Sequence, residues 1–194
     1  PALSANPENM VLVTRGEFIM GSNDHQDEKP HNVVLDAYYI DKYEVSNKDY
    51  KEFMKATGHA APAYWDDPRL NKPEQPVVGV NWYDGSAFCE WKGKRLPTEA
   101  EWERAAKGPD GHAHYPWGHQ LDPSKANYGQ TVGHTTAVDS YPEGVSGFGA
   151  YNMAGNVFEW VGDWYSETYY NEAPAMNPPG PASGEFRVIR GSSF

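Results

Sequence analysis

Lys94-Arg95-Leu96-Pro97-Thr98-Glu99-Ala100-Glu101-Trp102-Glu103 contains a complete helix start. After Pro97, the Thr98 hydroxyl can accept the backbone N–H of Glu101, and the Glu101 carboxylate can reach back to that of Thr98. This reciprocal capping box satisfies two donors that a helix end leaves orphaned. Beyond it Trp102, Ala105 and Ala106 fall on one side, and Gly108 ends the helix. The same chemistry occurs twice upstream. Asn81 caps a helix with Asp84 in its first turn, and Gly93 stops it after Trp91. Ser46 caps another, with Asp49 three residues on, Val45 and Tyr50 at staple positions, and Gly58 at its end. Three helices are therefore expected.

Around them the strand signals are short. Within Asn9 to Gly21, the alternation of Val11 and Val13, then Phe18 and Met20, predicts a strand pair turning at Arg15-Gly16. Val33 to Ile40 reads as a further strand, with Val33, Leu35, Ala37 and Tyr39 on one face and a charged loop, Ser22 to His31, before it. Pro109 to Gly149 reads as loop, with one strand at Thr136 to Val138. Tyr151 to Trp164 is rich in aromatics and Gly, and a strand is expected at Phe186 to Ile189.

Composition sets the class. The 194 residues suit a single domain spanning 1–194, and 39% hydrophobic content supplies a core. With 7 Trp, 13 Tyr, 19 Gly and 16 Pro, large rings must fill gaps between long loops in an irregular α+β fold. A net charge of −11 without a basic cluster opposes nucleic acid and anionic membrane surfaces. No apolar run approaches the roughly 20 residues of a membrane-spanning segment. Cys89 is the one cysteine, which excludes an internal disulfide and a cysteine-rich zinc site. A chain beginning at Pro1 is expected to have lost a preceding segment.

Several blocks then carry a resemblance. Met10-Val11-Leu12-Val13 through Gly16-Glu17-Phe18-Ile19-Met20-Gly21-Ser22, Glu44-Val45-Ser46-Asn47 with Tyr50 and Phe53, and Pro76-Val77-Val78-Gly79-Val80-Asn81-Trp82 come first. The segment Lys94 to Glu103 is the most specific. Tyr115-Pro116-Trp117-Gly118, Asn152-Met153-Ala154-Gly155-Asn156-Val157-Phe158-Glu159-Trp160 and Arg187-Val188-Ile189-Arg190-Gly191 follow in order. In these blocks the chain resembles the formylglycine-generating enzyme (sulfatase-modifying factor) family over nearly its whole length. The resemblance implies that family's variant of the C-type-lectin-like fold, with little regular secondary structure. The family includes copper-dependent oxidases of a sulfatase cysteine, iron enzymes, accessory proteins and ligand-binding domains, so membership alone does not fix function.

The resemblance places the oxidase's two copper-binding cysteines just after the stretch matching Gly191-Ser192-Ser193. Soft thiolates suit Cu(I), and this sequence reaches Phe194 without either of them. Cys89, beside Phe88 in the second helix, is expected to be a buried structural thiol. Copper is not expected for this chain, and no catalytic residue is assigned. Ser193 matches an active-site serine but stands here as a strand-end residue. Either the remaining segment lies outside this sequence, or a partner chain completes the fold.

Asn152 to Glu159 is the strongest remaining constellation. Calcium takes six to eight oxygens from carboxylates, amides and carbonyls. This segment offers the Asn152 side chain, the Gly155 and Val157 carbonyls and the Glu159 carboxylate, and the resemblance implies the same four as ligands of a structural calcium. The alternative is that Asn152 and Glu159 tie down a tight turn through hydrogen bonds. Asn127 and the Tyr128 carbonyl match the first two ligands of the family's other calcium site. The loop through Gly133, His134 and Thr135 brings no aspartate, so that site is expected to be empty or weak.

Other groupings read as surface or core. His112, His114 and His119 match no metal spacing, and Asp24, Asp27, Glu28 and His31 suit a solvated loop as well as a cation site. Ser140, His134 and Asp139 lack anything to fix a triad. Trp160, Trp164, Tyr165, Tyr169 and Tyr170 form an aromatic run in which tryptophans fill core and exposed tyrosines suit a partner or sugar surface. The leading expectation is an accessory, non-catalytic family member, calcium-stabilised, acting as a binding or assembly subunit with a protein partner. A copper-dependent formylglycine-generating oxidase truncated here, and a lectin-like ligand-binding domain, are the alternatives. A periplasmic or extracellular location is expected.

Overall fold

The computed structural model describes residues 7–194; Pro1, on which the expectation of a lost leader rests, lies outside the described residues. The elements run β1 (Met10–Val13), β2 (Gly16–Met20), β3 (His31–Leu35), β4 (Tyr38–Asp41), α1 (Asn47–Thr57), α2 (Trp82–Trp91), α3 (Glu99–Lys107), β5 (Phe158–Trp164), α4 (Tyr169–Glu172) and β6 (Arg187–Gly191). Mixed helices and strands with little regular secondary structure match the expected class. Among the described residues no helix is long and apolar enough to cross a membrane.

All three expected helices form with their expected caps. Thr98 accepts from the Glu101 N–H while Glu101 accepts from the Thr98 N–H at 2.8 Å, and Asn81 and Asp84 complete a second reciprocal box. At α1 the pairing differs: the Ser46 hydroxyl accepts from the Asp49 N–H and donates to the Asp49 carboxylate at 2.6 Å. Gly58 closes α1 at φ 73°, a left-handed position that favours glycine.

The strands depart from expectation in their pairing. β1 and β2 do not pair with each other; β1 pairs with β4 and β2 with β3, both antiparallel. One register runs through both pairs, with Met10 opposite Asp41, Val13 opposite Tyr38, Gly16 opposite Leu35 and Met20 opposite His31. They are thus two halves of a single bent hairpin whose turn is the charged loop before His31. Gly16 marks the bend rather than a turn. A Cβ there would lie 2.4 Å from the Arg104 guanidinium, which passes underneath and bonds the Glu17 carbonyl at 3.0 Å. The strand expected over Val33 to Ile40 is interrupted at Asp36 and Ala37, opposite that bend. No strand forms at Thr136 to Val138; Val138 instead donates its N–H to the Glu74 carbonyl at 2.8 Å.

Helix α3 organises the core. One face packs Trp102, Ala105 and Ala106 against Val13, Met153, Val161 and Val188. Ala100, on another face, meets Phe18, Met20, Val33, Leu35 and Tyr170. A separate cluster of Tyr50, Phe53 and Phe88 joins α1 to α2. β5 and β6 form a second antiparallel ribbon, and Arg187 of β6 is held between the rings of Trp82 and Trp164, 3.6 and 3.4 Å from their centroids. That stack, a cation–π contact on both faces, ties α2 to the ribbon.

Candidate functional site

The loop between residues 151 and 158 curls because three of its residues are left-handed: Asn152 (φ 51°), Gly155 (φ 85°) and Asn156 (φ 64°). Asparagine tolerates this region better than most side chains. Glycine is required at 155, where a Cβ would lie 2.5 Å from the Asn127 carbonyl. Asn156, fully buried, fastens the loop from within. Its Oδ1 accepts from the Thr136 N–H at 2.8 Å, and its Nδ2 donates to Glu44 at 3.0 and 3.1 Å. Ser192 accepts the Gly155 N–H at 2.8 Å, and Phe194 donates to the Asn156 carbonyl at 3.2 Å.

Of the four residues singled out from sequence, Asn152 turns its Nδ2 to Glu44 (2.7 Å) and the Val138 carbonyl (3.0 Å). Its Oδ1, the atom a calcium ion takes, stays outside those bonds. The Gly155 carbonyl accepts from the Val157 N–H at 2.9 Å, and Glu159 at the start of β5 accepts from the Trp102 indole at 3.0 Å. Glu44, 108 residues upstream of Asn152, was not visible as a site residue from spacing. Its carboxylate enters because the bent hairpin delivers Glu44, three residues past the end of β4, to this loop.

Electrostatics single out the two glutamates. Burial pushes Glu159 up to about 7, against the Trp102 hydrogen bond that favours its charged form. Burial and the neighbouring Glu159 charge push Glu44 well above the usual carboxylate range, against the amides of Asn156 and Asn152. Among the described residues neither carboxylate has an ion-pair partner. Two close, partly buried carboxylates with only amide and indole donors are a donor set of hard oxygens that lacks a positive charge. That chemistry fits calcium. No group of three or more His, Cys, Asp or Glu side chains suited to a metal occurs among the described residues; the predicted set relies mainly on amide and carbonyl oxygens.

At the second expected position Asn127 is buried, and its Nδ2 donates to the His134 carbonyl and to Asn156. Its Oδ1 has no partner. The Tyr128 carbonyl takes the Thr131 hydroxyl at 3.1 Å, and no carboxylate stands between Tyr128 and Thr135. The loop histidines His112, His114 and His119 are not gathered into a metal site, and the His134 ring turns to the Thr135 carbonyl.

A cavity of about 570 Å³ opens beside the loop, with Glu44, Glu159, Phe88, Cys89, Tyr151 and Trp160 in its wall. Cys89 is half-buried here rather than enclosed. Burial, with the Asp41 charge nearby, pushes its thiol up to about 11, so it stays protonated at neutral pH. One protonated thiol does not fit the soft two-thiolate set that selects Cu(I). The aromatic run divides: Trp160 donates inward to the Val80 carbonyl at 3.0 Å, Tyr170 is buried, and Tyr165 is exposed.

The sulfatase-modifying factor enzyme 1-like domain matches residues 2–194. Among curated proteins, the chain is 39% identical over 206 residues to "Serine/threonine-protein kinase pkn1" of Chlamydia pneumoniae, covering 95% of this chain and 33% of that protein. It therefore spans about a third of the length of that relative. It is 36% identical over 250 residues to the formylglycine-generating enzyme of Thermomonospora curvata, covering 96% of this chain and 82% of the relative. Among solved structures, Treponema denticola variable protein 1 superposes with TM-score 0.78 at 27% identity, covering 95% of this chain and 83% of that one. PvdO from Pseudomonas aeruginosa gives TM-score 0.76 at 30% identity, with coverages of 95% and 81%. The chain belongs to the formylglycine-generating enzyme (FGE-sulfatase) family, the sulfatase-modifying factor enzyme 1-like domains.

Proposed function

We propose that this chain is an accessory, calcium-stabilised member of its family, a binding or assembly module that does not itself oxidise cysteine. The observation that carries the reading is Cys89, the one cysteine among these 194 residues, which stands in the cavity wall without a second thiol. The module reading is supported by the chlamydial relatives, in which the matching segment is 33% of the protein. Such a segment works beside other domains, and a protein partner and a periplasmic or extracellular setting accord with an acidic, metal-stabilised surface.

Calcium would be held by Asn152 Oδ1, the Gly155 and Val157 carbonyls and Glu159. It would supply positive charge beside Glu44 and Glu159, which have no ion-pair partner among the described residues, and it would favour the folded form because only that form gathers the oxygens. The chain's own residues orient the set: Asn156 and Ser192 fix the loop, Trp102 aims Glu159, and Glu44 anchors the Asn152 amide.

The relatives named formylglycine-generating enzyme, at 33 and 36% identity, favour a second reading, a copper-dependent oxidase of sulfatase cysteines whose thiolates lie outside these 194 residues. Incubating the full-length natural protein, including whatever follows residue 194, with copper, oxygen, a thiol reductant and a cysteine-containing sulfatase peptide separates the two. The module reading predicts no aldehyde in the peptide; copper-dependent aldehyde formation contradicts it.

A further inference from the structure

Glu44 reaches the calcium loop from the hairpin, and backbone bonds on both sides of it fix where it stands. The Lys42 carbonyl accepts the Tyr151 N–H at 2.9 Å, next to Asn152, and the Val45 carbonyl accepts the Val77 N–H at 2.9 Å. The side chain then meets two residues of the loop. Its Oε2 accepts from Asn152 Nδ2 at 2.7 Å and from Asn156 Nδ2 at 3.0 Å, while Oε1 accepts from Asn156 Nδ2 at 3.1 Å. All three contacts are incoming amide N–H groups. They suit a carboxylate, which only accepts, better than a carboxylic acid, whose proton needs an acceptor of its own.

Asn152 shows what this contact does. Only 5% exposed, it uses both protons of Nδ2, one on Glu44 and one on the Val138 carbonyl at 3.0 Å. A reversed amide would set oxygen against two acceptors, so Oδ1 is held on the side away from them. Oδ1 is the atom offered to calcium. A negative charge on the N–H side of an amide draws electron density toward its carbonyl oxygen, which makes that oxygen a better ligand for a hard cation. The same carboxylate holds Asn156, whose Oδ1 accepts the Thr136 N–H at 2.8 Å. One side chain therefore braces both left-handed asparagines of the loop.

We propose that Glu44 is a positioning residue that sets calcium affinity through Asn152, without being a ligand itself. This rests on the calcium reading above and extends it to a residue outside the four ligands. It divides the work of the two glutamates: Glu159 binds the ion, and Glu44 aims and polarises the amide that binds it. A carboxylate hydrogen-bonded behind a metal ligand is typically worth about 10- to 100-fold in metal affinity.

The test is calorimetric titration of chelator-treated chain with calcium at pH 7.5, paired with metal-free Tm. Terbium(III), a hard cation of similar size, serves for variants that bind calcium too weakly. Glu44→Gln keeps a carbonyl acceptor of nearly the same shape and removes the charge. It should weaken binding by about 10- to 100-fold while leaving metal-free Tm within about 3 °C of the parent's, or above it. Asn152→Gly removes the amide without straining a left-handed backbone, and supplies a readout that a purely structural role would not move. In that background Glu44→Gln should change affinity less than about threefold, because the group it acts through is gone. Parent-like affinity in Glu44→Gln overturns this proposal and leaves the calcium reading standing. An equal loss in both backgrounds does the same, and a matching fall in metal-free Tm would then mark Glu44 as a structural brace. No binding of either cation by the parent overturns both.

Discussion

Glu159 is a carboxylate raised from about 4.5 to about 7, and its effect on stability has a definite sign. Between those values the folded chain keeps a proton that the unfolded chain releases, so metal-free stability falls as pH rises through this window and levels off above it. Glu99, raised to about 7, and Asp163, raised to about 6, act in the same direction. Calcium needs the ionised form, so its stabilisation should grow over the same interval. Glu159→Gln keeps an acceptor for Trp102 but removes the charge. It should abolish the calcium-dependent gain in Tm while leaving metal-free Tm at pH 8 equal to or above the parent's; a full calcium response in this variant would exclude Glu159 as a ligand. Tyr50 poses a different question, because its hydroxyl is buried among Phe53 and Phe88 with no partner. Tyr50→Phe removes a desolvated group worth about 1–3 kcal/mol. Thermal melting should show an unchanged or higher Tm, and a clear drop would mean the hydroxyl has a role. Site residues at this scale were only partly legible. Asn152 and Glu159 stand seven positions apart on one loop, whereas Glu44 and Asn156 join them through contacts that no local pattern encodes.

Helices were the most legible elements, because a cap is local chemistry: Ser46, Asn81 and Thr98 each act within three residues of themselves. Thr98→Ala should therefore cost about 1 kcal/mol, or about 2–4 °C in Tm, measured by thermal denaturation. A loss well beyond that would point to a further role for the hydroxyl. The strands were legible as segments and not as pairs. Alternation at Val11, Val13, Phe18 and Met20 reports which side faces the core, but β1 and β2 lie in series along one bent arm and find their partners on the returning arm, from Met20 opposite His31 out to Met10 opposite Asp41. Arg15-Gly16 resembled a turn because glycine marks both turns and close approaches, and here it marks the passage of Arg104. The strand expected at Thr136 to Val138 failed for a related reason: this segment meets Asn156 and the Glu74 carbonyl singly rather than a strand edge.

At the scale of the whole molecule, a chain of net charge −11 with long loops and three helices of 9 to 11 residues has few regular hydrogen bonds to oppose its own repulsion. Rings, polar side chains and buried carboxylates hold its loops instead, and a cation at Asn152 to Glu159 would neutralise charge where the fold concentrates it. The most direct test is differential scanning calorimetry of chelator-treated protein, titrated with calcium at pH 7.5 and at pH 5.5. The account predicts a rise in Tm of about 5–10 °C at pH 7.5 when calcium reaches a hundredfold excess over its Kd, with a clearly smaller rise at pH 5.5. An unchanged Tm at both pH values, up to millimolar calcium, would contradict it.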